Sequence, residues 1–149
     1  MASPPFPNWL WVWKINSSPR SRHFIWQSLH QKLRTRTLLL TRQIIPDPTC
    51  NLCGSAPETT VYVLRNCPSA RIHWNSIGIP SSLTSSFDLN LENWLKLNCQ
   101  SKETHNATYW SVLFPSVCWE IWKSRNSFIF TSANPIHFKP DHTTALAID

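Results

Sequence analysis

Cys50, Cys53 and Cys67 limit what this chain can become more than any other residues in it. Two thiols separated by Asn51 and Leu52, on a turn containing Gly54, with a third soft donor a short way on, form the pattern by which a small loop grips a zinc ion. Zinc takes four ligands in a tetrahedron and suits thiolate sulfur. Three strong donors are present and no fourth is obvious; Tyr62 stands in the stretch where a histidine would complete the set. A thioredoxin-type redox pair would follow a βαβ pattern and open a helix, and neither pattern is present. Unrelated buried thiols would leave both the spacing and the third cysteine unexplained. A metal site accounts for all three.

The chain has 149 residues, 42% hydrophobic and 12% aromatic, enough for one domain with a core and extensions. Nine Trp favour large buried faces. Twelve Pro against two Gly favour stiff connections. The net charge of +6 is uneven. Through Trp74 there are nine Lys/Arg against Asp47 and Glu58, and from Asn75 onward five against six. A basic first half is the electrostatic footprint of RNA or DNA, although a solvated helix face would look the same. The N-terminus lacks the basic and apolar regions of a secretory signal. The stretch Tyr109 to Trp122 carries Pro115 and Glu120 and falls short of the roughly 20 apolar residues that span a bilayer. The expectation is a soluble intracellular chain, nuclear or cytoplasmic, with no membrane partner. Reduced thiols there favour metal over disulfide.

Helical patterning dominates. The expected organisation is a Pro-rich lead-in (1–8), a zinc-binding-type domain (9–77), a loop and short-helix linker (78–107), a Trp-rich C-terminal helix (108–131) and a disordered tail (132–149). Ile25, Leu29 and Leu33 recur at i, i+4, i+8 from about Arg22, with Phe24 and Trp26 widening the stripe. Thr35 reads as the N-cap of a second helix and Pro46-Asp47-Pro48 as a rigid turn. Glu58 to Asn66 reads as a short helix, Pro68 opens another, and Gly78 stops it. Pro80 to Phe87 reads as loop, and Leu91, Trp94 and Leu95 as a short helix. Trp110, Phe114, Val117, Cys118, Ile121 and Trp122 form the strongest stripe, with Pro115 as its kink or true start.

These features together resemble the zinc-binding domain that follows the reverse transcriptase in plant long-interspersed-element (non-LTR) retrotransposons. The resemblance runs through Trp13-Lys14, Phe24, Trp26, Leu33 and Thr35, then Cys50, Cys53, Glu58-Thr59 and Cys67, then Trp74. It continues through Trp119, Trp122, Lys123, Arg125, Asn126 and Phe130, covering roughly residues 9–130. It implies a mainly α fold, a small helical domain around a CxxC zinc-knuckle-like turn with a further long C-terminal helix. It also implies a zinc-coordinating, nucleic-acid-associated accessory domain of a polyprotein; the polymerase and ribonuclease H domains that flank it in the family are not within these residues.

The chain departs from the family at the fourth ligand, where Tyr62 replaces a histidine. A phenol with a pKa near 10 must lose its proton to bind metal. His73 would lie about 9 Å along a helix from Cys67. Glu58 could offer an oxygen but is expected to cap or support, which leaves water. Cys118 is expected in the core, His23 and His30 on the surface, and the Trp and Phe side chains in the core rather than against bases. Lys123 and Arg125 are expected to serve the helix dipole. Arg34, Arg36 and Arg42 are the candidate phosphate contacts. The sequence has no acidic nuclease cluster, no Gly-rich phosphate loop and no supported Ser/His/Asp set, so no enzyme and no small-molecule substrate are expected. The alternative is a degenerate metal-free retroelement fragment acting as a helical module for a protein partner.

Overall fold

Capping residues divide the chain into short helices. The computed structural model describes residues 9–131, so the expected lead-in (1–8) and tail (132–149) lie outside the described residues. Leu10–Lys14 forms a 3₁₀ segment that buries Trp11 and Val12. Helix α1 (Pro19–Leu29) begins where the Ser18 hydroxyl accepts from the Ser21 amide at 3.1 Å, with Pro19 pre-set at its first position. Phe24, Ile25 and Leu29 turn inward as the stripe requires. Leu33 is buried too, but from a loop, because Gln31 takes a φ of 56° just past the helix end. Helix α2 (Arg36–Thr41) is capped as expected, Thr35 Oγ1 accepting from the Leu38 amide at 3.2 Å.

The segment read as a short ordinary helix before Cys67 is instead a π-turn over Tyr62–Asn66. It closes with the Cys67 amide donating to the Tyr62 carbonyl at 2.8 Å. Helix α3 (Pro68–Ile77) follows at once and ends at Gly78, whose φ of 84° suits a residue without Cβ.

The expected linker is part of the packed body. Ser81–Asp88 coils into 3₁₀ turns, and Asn90 caps helix α4 (Leu91–Cys99) by accepting from the Asn93 amide at 2.9 Å. Trp94, Leu95, Asn98 and Cys99 are all buried. Asn98 ties the region together. Its amide donates to Ser86 Oγ (2.9 Å) and the Trp94 carbonyl (2.8 Å), and its oxygen accepts from Trp110 Nε1 at 2.8 Å. A small antiparallel hairpin, β1 (Thr104–His105) and β2 (Thr108–Tyr109), turns through Asn106 and Ala107, both at positive φ.

Helix α5 (Trp110–Thr131) is the spine. It starts five residues before Pro115, so the proline lies inside the helix and leaves the Ser111 carbonyl without its usual donor. The six stripe residues named from the sequence are all buried. On one side Phe114 stacks on Trp74 at 5.2 Å, and Trp94 meets both rings edge-on. The Trp74 indole donates to the Leu64 carbonyl at 2.9 Å. On the other side Phe24 of α1 meets Trp119 at 5.3 Å. The mainly α expectation, with a cysteine turn and a long C-terminal helix, holds. Among the described residues no helix is long and apolar enough to cross a membrane.

Candidate metal centre

Backbone hydrogen bonds fold the cysteine stretch before any side chain contributes. The Cys50 amide donates to the Ala56 carbonyl (2.8 Å), the Gly54 amide to the Cys50 carbonyl (2.9 Å), and the Glu58 amide to the Pro48 carbonyl (2.8 Å). Gly54 sits at φ 69°, as a tight knuckle requires. Cys67 enters from the far side, on the residue that joins the π-turn to α3.

The three sulfurs come together. They lie within 4.8 Å of one another, and Cys50 and Cys67 Sγ are 3.9 Å apart. Zn–S bonds of about 2.3 Å in a tetrahedron set the sulfurs about 3.8 Å apart. The donor set therefore fits zinc in both chemistry and spacing.

The surroundings treat the three thiols differently. Burial pushes Cys50 up to about 12, against the amides of Cys53 and Leu52 that point at its sulfur. Burial also raises Cys67, despite the Ser69 amide in the first turn of α3. At Cys53 burial acts upward too, but hydrogen bonds from the Tyr62 hydroxyl and from Ser55 outweigh it and bring the thiol down to about 7. Tyr62 Oη lies 2.8 Å from Cys53 Sγ, and that same hydrogen bond, with burial, raises the phenol above its ordinary range. With the phenol raised and the thiol lowered, the phenol donates to Cys53 wherever that sulfur is a thiolate. Two ligands of one tetrahedral zinc, one sulfur and one oxygen, would stand about 3.5 Å apart. At 2.8 Å, the Tyr62 hydroxyl stands at hydrogen-bonding distance from Cys53 Sγ rather than at that spacing.

Replacing Tyr62 with Phe removes that donor. The alkylation midpoint of Cys53 should then move from near pH 7 toward the ordinary thiol value of about 8.5. Iodoacetamide labelling rates against pH, on metal-free chain, will read this, and an unmoved midpoint would refute the assignment of the donor.

The other candidate ligands stand outside the cluster. His73, half-buried on α3, is not part of the cluster, and burial lowers its pKa. Glu58 is wholly buried and accepts from Arg125 Nε (2.9 Å), Arg125 Nη2 and the Arg36 amide (2.8 Å). It caps α2 and pairs with α5. This corrects the expectation for Arg125: it sits well inside the helix, 5% exposed, bound to Glu58 and to the Arg34 carbonyl rather than serving the helix end. The sequence held no signal for that pairing across 67 residues.

The basic candidates divide. Arg34 and Arg36 line one groove of about 590 Å³ between α2 and α5, with Lys32, Leu39, Trp122 and Phe130. Arg36 also donates to the Asp47 carbonyl at 2.7 Å. Arg42, exposed at the end of α2, stands outside that lining. Lys32 is the groove cation that sequence reasoning left out.

Residues 1–74 match the family described as zinc-binding in reverse transcriptase. A protein of Arabidopsis thaliana named "Putative ribonuclease H protein" is 26% identical over 119 residues, which are 80% of this chain and 19% of that protein. The chain thus spans about a fifth of the length of the curated relative it matches. No solved structure matches significantly.

Proposed function

Because residues 1–74 belong to the family of zinc-binding domains in reverse transcriptase, we propose that this chain is a non-enzymatic, zinc-binding accessory domain of retrotransposon origin that associates with nucleic acid. The observation that carries this is the meeting of Cys50, Cys53 and Cys67 sulfurs at a spacing that suits one tetrahedral ion. Zinc held there would cross-link the knuckle to the start of α3, a structural rather than catalytic contribution. Tyr62 keeps its proton and steadies the Cys53 thiolate, so water takes the fourth position. Both glycines serve turns, Gly54 in the knuckle and Gly78 at the end of α3, which leaves none for a phosphate-cradling loop.

The nucleic-acid part rests on the basic first half and on the Lys32–Arg34–Arg36 wall of the groove. Each phosphate neutralised on duplex DNA contributes about −0.9 to the slope of log affinity against log salt. Replacing Arg34, Arg36 and Arg42 together with Gln should flatten that slope by about 2 to 3. Fluorescence anisotropy across a salt series measures it, and an unchanged slope would refute the phosphate contacts.

A further inference from the structure

Five of the nine tryptophans are buried, but Trp9, Trp13, Trp26 and Trp119 are not. Three of these four lie on one strip of rings with two histidines. Along α1 and its cap, His23, Trp26 and His30 fall at i, i+3 and i+7 and so share a face. His23 lies nearly parallel to Trp26 (5.9 Å, 13°), and Trp26 packs on His30 at 4.1 Å. The 3₁₀ segment before α1 brings Trp13 to Trp26 at 6.4 Å, and Trp9 meets His30 edge-on at 4.7 Å. Trp13 is 48% exposed and His23 is exposed, so the strip reaches solvent at these two rings.

The stretch of chain that carries this strip has charge of one sign. No Asp or Glu precedes Asp47, while seven Lys or Arg lie between Trp9 and Pro46. Lys14 adjoins Trp13 and Arg22 adjoins His23 in sequence. Partly exposed rings on a stretch of chain whose only charges are basic match a ligand that carries flat bases on an anionic backbone. A duplex hides its base faces in its own stack, whereas a single strand offers them.

We propose that Trp13, His23, Trp26 and His30 form a base-stacking platform for single-stranded nucleic acid. This deepens the nucleic-acid reading above and rests on it, adding that the bound form is single-stranded and is held by ring faces as well as by phosphates. It also revises the expectation that every Trp serves the core.

The test uses the full chain with labelled oligo(U), oligo(dT) and a self-complementary duplex, each titrated over a salt series. Trp13→Ala should lower single-strand affinity roughly 5- to 150-fold, the worth of one base–aromatic stack, and leave the salt slope unchanged. Trp13→Phe should retain most of the binding, and His23→Ala should show a smaller loss. Because Trp13 is half exposed, thermal unfolding of Trp13→Ala should match the natural chain; should it not, the Trp13→Phe and His23→Ala pair decides. Ring variants that bind like a natural chain with a steep salt slope would overturn the platform and leave the phosphate reading standing. A natural chain that binds none of the three probes would overturn both. Sedimentation showing a dimer dispersed by Trp13→Ala, with oligonucleotide binding intact, would mean that a second copy covers the strip, and would overturn the platform too.

Discussion

Replacing Glu58 with Ala is expected to destabilise the chain by about 3–5 kcal/mol, the cost of stranding one member of a buried ion pair. Glu58 is wholly buried, Arg125 nearly so, and the carboxylate meets the guanidinium through two of its nitrogens while also accepting the Arg36 amide. Three consequences of the loss coincide. Arg125 keeps a buried charge without its counter-ion, α2 loses its first-turn acceptor, and the Arg34 carbonyl faces a donor, Arg125, that Glu58 no longer orients. Urea unfolding followed by tryptophan fluorescence measures the sum. The double replacement Glu58→Met with Arg125→Met should recover much of it, since a buried pair exchanged for apolar side chains of similar volume is often near neutral. A loss below about 1 kcal/mol in Glu58→Ala would place the pair among surface bridges and refute its role.

Replacing Tyr62 with His is expected to turn a three-thiol site into a complete one. The variant should bind one zinc per chain and gain about 4 kcal/mol of stability with zinc at a thousand times its dissociation constant. The natural chain should hold zinc more weakly and lose it sooner to chelator. Imidazole is shorter than phenol, so the knuckle must close slightly toward the π-turn. In both proteins zinc affinity should fall as pH falls, because the metal must displace protons from Cys50 and Cys67, whose pKa values burial has raised. Zinc stoichiometry beside thermal unfolding with and without chelator reads the outcome. A natural chain that already holds one chelator-resistant zinc, unimproved by the variant, would show that Tyr62 and water suffice.

Features written in neighbouring residues were legible in the sequence. Thr35 caps α2, Pro68 opens α3 and Gly78 ends it because each acts on backbone within a few residues. The cysteine cluster was legible for a similar reason, its spacing being that of one local knuckle and a third thiol. What escaped depends on distant partners. Ser81–Asp88 shows no periodicity, and its place comes from distant partners, Asn98 of α4 donating to buried Ser86 and Phe87 packing on Trp74 and Trp94. The hairpin at Thr104–Tyr109 has strands too short to alternate. Arg125 looked like a cation for a helix end because its carboxylate lies 67 residues upstream. Tyr62 was recognised as the replaced ligand, but its hydrogen bond to Cys53 belongs to geometry, since the sequence records nothing of which way the ring turns.

The π-turn carries a consequence for how this site tolerates change in chain length. In a regular helix, residues five apart point about 140° away from each other. The Cys67-to-Tyr62 closure takes up one additional residue per turn and brings the two positions back into phase. Register, more than the identity of any one side chain, therefore decides whether position 62 faces the sulfurs. Removing a single residue between 63 and 66 would let the turn relax to an ordinary helix and rotate position 62 out of the cluster, whether a tyrosine or a histidine stood there. The segment acts as a measured spacer: buried Val63 and Leu64 anchor it, and its count sets where position 62 stands.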